Sequence, residues 1–575
     1  MSVDQMPIQP AQAPERIDAV AEASGKFLNR QSAIHNPQSF WLARAVVALA
    51  ALITALLHLP LQVFPIGRDQ GAWLTGAMAL AHGKVFYRDY LHFNMPGLAF
   101  AYRLAWAFVS DPHYVAPLLA AVAAVLIVLA LYLLLSETIS PAAGAWAALV
   151  FGVLWPVKIG WWSVGQKDIL ATPWLLLATW CVARALPGRR LPRLSLFAGG
   201  GCIALAAQCK PTYIVIGVLL AAGLALRHGR TFRATWKSLL REIGLFAAGG
   251  VLGLAPLLIY LALHHAFADA WFCLTVLGGD YVTAHNLSWR MLARVWRIAQ
   301  RGNFWSGFNF TPLWLATCYA GIPLWLTSRE QPRRWWLFPP AFTAATAFFL
   351  QRKGMTYHLD PWYAGLCLFG GVALAWAWRR RNFFPWRKTS AIYLAAGLLF
   401  TFAFAKTMHH SFTDSRYMKL EWRAWRGELT RGAYLNKLDN GKGDHPGPTV
   451  SESLAAWLRE RTTPRETILV WGHECQIYAL ADRLFATQAP FKQMLTGIDP
   501  TREPPGLTAQ KQRFLRLLDV DAPKFFLVTT HDANPVERIT SDRALSRVAG
   551  LPEYLAAHYT FLQWYDRFQV YQRNP

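Results

Sequence analysis

Long apolar runs separated by short polar segments fill the chain from residue 40 to about residue 407. Most of these runs approach the roughly 20 apolar residues that an α-helix needs to cross a bilayer about 30 Å thick, and several are shorter. About eleven of them are candidate spans, near 40–62, 113–136, 141–157, 168–187, 195–209, 211–226, 243–265, 312–327, 335–350, 360–378 and 389–407. Because backbone groups inside a bilayer must bond within their own segment, the pattern predicts a polytopic α-helical membrane protein.

A shorter apolar segment, LAFAYRLAWAFV at 98–109, contains Arg103 and ends at Ser110-Asp111-Pro112. We interpret this segment as an amphipathic helix that lies in the outer interface of the membrane. The alternative is a short tilted span, which would move every later loop to the other side of the membrane.

The last part of the chain, residues 408–575, alternates between helical and strand patterns. Helices are predicted for VSESLAAWLRERT, ECQIYALADR and TAQKQRFLRLL, and buried strands for ETILVWG and KFFLVTT. FLQWYDRFQVYQR is typical of a hairpin that turns around Asp566-Arg567. The alternation predicts a small soluble α/β domain with a partly parallel sheet.

Positive charge is concentrated in the short loops between the apolar runs. The net charge is +24, although 54% of the residues are hydrophobic and the mean hydropathy is +0.22. Much of the Lys and Arg lies in RALPGRRLPR, RHGRTFRATWKSLLRE, SREQPRRWW and WRRRNFFPWRK. This distribution follows the positive-inside rule, so it places these loops in the cytoplasm and argues against a nucleic-acid-binding face. The polar leader 1–39 lacks the apolar core of a signal peptide and is predicted to be a cytoplasmic tail.

The seven cysteines do not predict a disulfide framework or a zinc knuckle. Six of them lie in or beside the apolar runs, and no CxxC pair is present.

Asp69, in the stretch PIGRDQGAW, is the first ionisable candidate on the outer side. Charged groups against membrane spans are costly and usually functional. Asp69 is therefore a candidate general base, or an anchor for a metal ion or a substrate. The alternatives are a structural ion pair with Arg68 or Arg88, and an exposed loop carboxylate.

The residues after Asp69 predict an amphipathic helix that stops at Gly83, followed by a polar loop. This loop holds several hydrogen-bonding groups: Tyr87, Arg88, Asp89, Tyr90, His92 and Asn94. Such a density is unusual for a connector and is typical of a binding loop, although each residue taken singly suits a structural role.

Asp168 and Lys210 flank later spans on the same outer side. Asp168, in WWSVGQKDILATPW, is a candidate for orienting an acceptor or binding a cation, and the alternative is an N-cap carboxylate. Lys210, in AAQCKPTY, faces outward by the span count, so the positive-inside rule does not explain it. It is a candidate for binding the phosphate of a lipid substrate, or for snorkelling to lipid headgroups.

A second basic and aromatic cluster lies in QRKGMTYHLDPW, at 351–362. Its candidate residues are Arg352, Lys353, Tyr357 and His358. Together with Lys210 and Arg88, these side chains can converge on one anionic group. Positioned cations stabilise the negative charge that develops on a leaving phosphate.

This combination of motifs resembles the polyprenyl-phosphate-sugar glycosyltransferases of the type C membrane fold, which include protein mannosyltransferase-like and lipid A aminoarabinose transferase-like enzymes. The resemblance covers residues 40–407. The shared features are an acid in the first outer loop, an aromatic and basic loop that ends in a proline, a second acid before the fourth span and a Lys-Pro span start. The K-x-x-x-Y-x-x-x-P element is also shared, here at Lys353, Tyr357 and Pro361.

The resemblance implies roles for individual residues. Asp69 matches the acid that is regarded as the catalytic base, and Asp168 resembles the acid near the acceptor or a divalent metal. Lys210 and Tyr357 match positions that hold the phosphate of the donor, and Lys353 belongs to the same element.

One position departs from the related aminoarabinose transferase, which has a basic residue before the loop proline. This chain has Met95 before Pro96, so we expect Arg88 to supply the missing charge. Two other motifs are weak candidates for a metal site: Asp519-Val520-Asp521, which we interpret as a turn, and His473-Glu474-Cys475.

We therefore expect an inverting glycosyltransferase of the bacterial inner membrane, with domains at 1–39 (cytoplasmic tail), 40–407 (transmembrane) and 408–575 (periplasmic α/β). It would move a sugar from a polyprenyl phosphate to a periplasmic-side acceptor, which is lipid A, another glycolipid, a glycan or a protein. Asp69 would be the catalytic base, and the expected substrate-binding residues are Tyr87, Arg88, His92, Asp168, Lys210, Lys353, Tyr357 and His358. No cofactor is certain, and a divalent metal ion stays open.

Two other classes of protein remain as alternatives. A transporter or flippase of lipid-linked sugars would need polar groups near the middle of the spans. A polymerase or ligase of lipid-linked glycans would use outer-loop arginines in place of an acidic base.

Overall fold

The computed structural model describes residues 37–185, 191–228, 232–284, 286–301, 310–327, 332–380, 416–439, 446–497, 503–533 and 539–575. Helices occupy the first ten predicted spans, and the eleventh, at 389–407, lies outside the described residues. The structure is therefore helical with one small sheet near the C-terminus.

The described helices of the N-terminal part are α1 (Pro37–His58), α2 (Arg68–Ala81), α3 (Gly97–Trp106), α4 (Val115–Thr138), α5 (Pro141–Lys158), α6 (Lys167–Arg184), α7 (Pro192–Cys209), α8 (Ile214–His228), α9 (Phe232–Leu263), α10 (Phe267–Trp271), α11 (Gly278–Thr283), α12 (Trp289–Arg301), α13 (Phe310–Thr327), α14 (Phe338–Gln351) and α15 (Asp360–Arg380). Those of the C-terminal part are α16 (Arg416–Trp425), α17 (Arg431–Leu438), α18 (Pro448–Arg461), α19 (Gln476–Ala481), α20 (Gln493–Thr496), α21 (Leu507–Asp521), α22 (Ser541–Ala544) and α23 (Leu551–His558). The strands are β1 (Ile468–Trp471), β2 (Phe525–Thr529), β3 (Tyr559–Tyr565) and β4 (Phe568–Arg573).

Three helical segments of the described chain are long and apolar enough to cross a membrane: Phe40–Val63, Pro112–Thr138 and Trp236–Leu263. Shorter apolar helices cover Pro141–Pro156 and Pro211–Arg227. These helices agree with the prediction of a membrane protein.

Small residues allow α7 and α9 to pack closely. A Cβ atom on Gly200 would lie 1.8 Å from the carbonyl oxygen of Phe246, and one on Gly249 would lie 1.8 Å from that of Phe197. Membrane helices associate through such close backbone contacts, because lipid tails remove the hydrophobic driving force between them.

Helix α3, which has ten residues and begins at Gly97, covers most of the segment at 98–109. That length corresponds to about 15 Å, half of the apolar thickness of a bilayer. The face with Leu98, Ala99 and Tyr102 is buried, while Arg103 is exposed. A helix this short does not by itself cross the bilayer, which favours the interfacial interpretation over a span.

Helix α2 is buried on all sides, so the prediction that it is amphipathic is wrong. Every residue from Gln70 to Ala79 is buried. The reason is that the C-terminal part of the chain covers the face of α2 that would otherwise be exposed to solvent. Helix α19 packs on α2, and a Cβ atom on Gly71 would lie 2.3 Å from the backbone nitrogen of Gln476.

The sheet confirms the predicted strands, with the order β1-β2-β4-β3. Strands β1 and β2 are parallel, and the other neighbours are antiparallel. The β3–β4 hairpin turns at Asp566-Arg567, where Asp566 has a φ of 49°. The interpretation of Asp519-Val520-Asp521 as a turn is wrong, because these residues form the last turn of α21.

Candidate active site

The N-terminal ends of α2 and α6 place Asp69 beside Gln166. Asp69 is the second residue of α2, and Gln166 is the N-cap residue of α6. The Gln166 side-chain amide donates to Asp69 Oδ2 at 2.9 Å. The next residue of α2, Gln70, donates to the carbonyl oxygens of Trp161 and Val164 at 2.9 and 3.0 Å. These bonds fix the half-buried Asp69 carboxylate relative to the start of α6.

Asp168 forms a buried cluster with a lysine and a tyrosine. Its Oδ1 accepts from the Lys210 ammonium at 2.7 Å and from the Tyr213 hydroxyl at 2.5 Å. Asp168 is fully buried, and its Oδ2 has no hydrogen-bond partner among the described residues. The N-cap alternative for Asp168 is wrong, since Gln166 holds that position and makes no side-chain capping bond.

Lys210 stands between α7 and the 3₁₀ turn Pro211–Tyr213 and is 5% exposed. Burial lowers the pKa of its ammonium to about 8, and the nearby Asp168 carboxylate opposes this effect. The Lys210 ammonium is therefore charged at neutral pH, and it forms an ion pair with the Asp168 carboxylate.

Tyr357 and His358 lie in the 3₁₀ turn Thr356–Leu359 between α14 and α15. Burial raises the pKa of the Tyr357 phenol well above its usual value, and the Asp69 carboxylate, through its charge and a hydrogen bond, raises it further. Burial and the Lys210 charge lower the pKa of His358 well below its usual value. Both side chains are thus neutral. The structure brings them together with Asp69, Asp168 and Lys210.

Lys353 has partners outside this cluster. Its ammonium donates to the carbonyl oxygen of Ala284 at 2.5 Å and lies 4.8 Å from the centre of the Tyr281 ring. Tyr281 stacks on Phe93 at 4.6 Å. Lys353 therefore ties the segment before Tyr357 to the end of α11.

The Arg88 side chain also has its partners outside this cluster, because its guanidinium is bound by the segment that follows α9. It donates to Asp269 Oδ2 at 3.3 Å and to the carbonyl oxygens of His265, at 3.0 Å, and His264. The expectation that Arg88 supplies the missing charge of the loop is not supported by this placement.

Tyr87 and His92 support the loop from inside. Tyr87 is fully buried, and its hydroxyl donates to the backbone carbonyl of Asn94 at 3.1 Å. His92 is packed against the ring of Trp73 at 4.6 Å and accepts from the Asn94 backbone N–H. Burial lowers the pKa of His92 to about 3, so its imidazole is neutral.

Several residues of the site were missed in the sequence. Lys167 is half-buried, and its ammonium donates to Asn94 Oδ1 at 3.3 Å. Asp360 is buried and accepts from the Trp155 indole at 3.3 Å. The available signals were the consecutive polar residues from Gln166 to Asp168 and the position of Asp360 directly after the His358 turn.

Two residues of the weak metal motif His473-Glu474-Cys475 have other partners. Glu474 forms an ion pair with Arg68, and His473 Nδ1 bonds to the Gln493 amide at 2.5 Å. Within the part of the chain that the structure describes, no group of three or more His, Cys, Asp or Glu side chains could hold a metal ion.

Comparisons with known proteins find similarity in structure alone. No protein-family model and no curated protein matches the chain. ArnT from Cupriavidus metallidurans bound to undecaprenyl phosphate aligns with a TM-score of 0.55 at 14% identity, over 92% of this chain and 97% of that chain. Its apo state gives a TM-score of 0.50 at 15% identity, over 93% and 98%. The archaeal oligosaccharyltransferase AglB from Archaeoglobus fulgidus aligns more loosely, at a TM-score of 0.45 and 12% identity, over 93% and 74%. The ArnT likeness confirms the predicted type C fold.

Proposed function

We propose that this chain is an inverting glycosyltransferase of the inner membrane that uses a polyprenyl-phosphate sugar. In this proposal about eleven spans cross the membrane between residues 40 and 407, and the tail 1–39 is cytoplasmic. The site and the region 408–575 face the periplasm. The acceptor is lipid A, another glycolipid, a glycan or a protein.

The observation that carries the proposal is the group of side chains around Asp69. The half-buried Asp69 carboxylate, fixed by Gln166, shares one site with Lys210 and a neutral Tyr357 hydroxyl. A base next to phosphate-binding groups is what transfer from a lipid phosphate requires. The matched ArnT structure contains undecaprenyl phosphate, which supports the same donor class here.

In the proposed reaction, Asp69 takes the proton of an acceptor hydroxyl while the hydroxyl oxygen attacks the anomeric carbon. The bond between that carbon and the phosphate oxygen breaks, and its electron pair stays on the lipid phosphate. Lys210, Lys167 and Tyr357 stabilise the charge that develops there. The released products are the glycosylated acceptor and the polyprenyl phosphate.

The other predicted residues take supporting roles in this proposal. His358 and Asp168 position Lys210, Lys353 fixes the segment before Tyr357, and Tyr87 and His92 hold the loop that contacts Lys167 through Asn94. Arg88 anchors the same loop to Asp269. No step of the proposed reaction depends on a resident metal ion.

The experiment that tests the proposal combines a deletion strain with single-residue variants. Mass spectrometry of envelope glycolipids and glycoproteins should reveal a product that disappears on deletion and returns with the wild-type gene. Asp69→Asn should lower its formation by about 10²- to 10⁴-fold, because a general base contributes that much. Asp519→Asn, the same chemical change at an exposed carboxylate of α21, should restore the product. Full restoration by a membrane-inserted Asp69→Asn protein would remove Asp69 as the base.

A further inference from the structure

Helix α12 carries a stripe of arginines along one face. Arg290, Arg294 and Arg297 are spaced by four and three residues, which places them on one side of an α-helix. All three are exposed. The segment 286–301 contains no acidic residue. No ion pair joins these three arginines to a carboxylate of the described chain, and only Arg297 makes a side-chain bond, to the Ala293 carbonyl at 3.4 Å.

The opposite face of α12 is apolar and is anchored to the membrane helices. Leu292 is fully buried with Phe348, and the Trp296 ring lies 5.0 Å from Phe349 and 5.1 Å from Trp362. Phe348 and Phe349 belong to the last turn of α14, while Trp362 lies in the first turn of α15. Helix α12 therefore lies across the ends of two helices, at the end that carries Tyr357.

The segment before the stripe is bound to the same end of α14. The Leu287 backbone N–H donates to the Arg352 carbonyl at 2.8 Å, and the Arg352 guanidinium donates to the Leu287 carbonyl at 3.0 and 3.1 Å. The guanidinium also lies 5.2 Å from the centre of the Trp289 ring. These contacts hold α12 on the bundle and leave the arginine stripe facing outward.

We propose that this arginine stripe binds the anionic headgroups of the membrane leaflet that surrounds the site. An amphipathic helix with a cationic polar face and tryptophans at its edge is suited to the boundary between lipid and water. Trp289 is 57% exposed beside the stripe, as an interfacial aromatic would be. The occupant is a lipid surface because the apolar face already packs on helix ends, where phosphates of the leaflet are the nearest anions. The proposal rests on the membrane fold and does not depend on the transfer reaction.

The test uses the full-length protein in bilayers of phosphatidylcholine and phosphatidylglycerol, with spin-labelled analogues of both lipids. The fraction of each label immobilised by the protein gives the selectivity for the anionic lipid. The combined variant Arg290→Gln, Arg294→Gln and Arg297→Gln should lose about fivefold or more of this selectivity, since one basic residue near an anionic surface contributes about that factor. High salt should reduce the wild-type selectivity towards that of the variant.

Two matched variants separate the stripe from other effects. Replacing Arg459, Arg465 and Arg516, which are exposed in the C-terminal part, with Gln removes the same charge and should keep the selectivity. Replacing the three stripe arginines with Lys should also keep it, because the charge is preserved. Equal selectivity in the wild type and the stripe variant would overturn the proposal and leave the stripe to a protein partner. An equal loss in the C-terminal control would also overturn it, because net charge alone would then explain the effect.

Discussion

Arg68 and Glu474 are 406 positions apart in the sequence and form an ion pair, with Arg68 Nε 2.6 Å from Glu474 Oε1. Glu474 is fully buried, and the Arg68 side chain is 13% exposed. Arg68 begins α2, and the next residue is Asp69. The C-terminal part of the chain therefore holds the end of the helix that carries the proposed base.

We expect Arg68→Ala to destabilise the protein by about 3–5 kcal/mol, because it leaves the Glu474 carboxylate buried without its cation. Adding Glu474→Gln should recover part of this loss, so the two changes should not be additive. Thermal and denaturant unfolding of the single and double variants measures this coupling. Arg461→Ala, which breaks the exposed pair with Glu460, should have little effect. Additive effects at Arg68 and Glu474 would contradict a stabilising pair.

Gly71 allows the C-terminal part to contact α2 directly. A Cβ atom at this position would lie 2.3 Å from the backbone nitrogen of Gln476 and 2.6 Å from its Cα, so Gly71→Ala must separate α2 from α19. We expect a loss of about 1–3 kcal/mol and faster proteolysis of the C-terminal part. Gly244→Ala is the control, since a Cβ there meets nothing within 4 Å and alanine favours a helix. Equal protease resistance of Gly71→Ala and the wild type would argue against this contact.

The sequence predicted much of the fold because its strongest signals are local. Apolar runs predicted the helices of ten spans. Short continuous apolar runs predicted the buried strands β1 and β2, and the hairpin pattern predicted β3 and β4. The burial of α2 could not be predicted in this way. Its covering surface, around Gln476, comes about 400 residues later, and no periodicity within α2 reports it.

For a similar reason, the sequence could group some residues of the candidate site but could not predict where the side chains of others point. Asp69, Asp168, Lys210 and Tyr357 could be grouped because the count of spans places their segments on one side of the membrane. The direction of a long side chain depends on the nearest acceptor: the Arg88 guanidinium is taken by Asp269 and the Lys353 ammonium by the Ala284 carbonyl. The sequence offers no signal for either bond. The roles of all these residues stay predictions.

The pH dependence of transfer should report the protonation state of Lys210. Burial lowers the pKa of Lys210 from 10.5 to about 8, so above pH 8 the folded protein loses a cation that the unfolded chain still holds. Between about pH 8 and 10.5 the unfolded state binds more protons, so this group makes stability rise with pH. Transfer should fall over the same range, because the leaving phosphate loses its cation.

A conservative variant tests whether Lys210 causes the loss of transfer at alkaline pH. Arginine stays charged at every relevant pH, so a Lys210→Arg enzyme that retains activity should keep it above pH 8. Burial also lowers the pKa of Lys353 to about 8, but its ammonium is bound to a backbone carbonyl. Lys353→Arg should therefore leave the loss of transfer at alkaline pH unchanged. If the pH profile of Lys210→Arg coincides with that of the wild type, deprotonation of Lys210 is not the cause of the alkaline loss of transfer.

Lys167 should contribute more to donor binding than the sequence indicated. Its ammonium is half-buried and has one long bond, 3.3 Å, to Asn94, whereas Lys210 is already held by Asp168 at 2.7 Å. A bond from a charged donor to phosphate is worth about 1.5–3 kcal/mol. We therefore expect Lys167→Gln to raise the KM for the lipid donor by about 10- to 100-fold while thermal stability stays near that of the wild type.

The two lysines can be separated by comparing binding with stability. Lys210→Gln should lower the unfolding temperature as well as donor binding, because it leaves the buried Asp168 carboxylate without its cation. Lys437→Gln, an exposed lysine in α17, controls for the loss of one charge and should change neither quantity. Steady-state kinetics with donor and acceptor varied in turn, together with thermal unfolding of the same preparations, measures the KM of each substrate and the stability. If Lys167→Gln changes only the KM for the acceptor, Lys167 faces the acceptor and Lys210 must bind the phosphate despite its bond to Asp168.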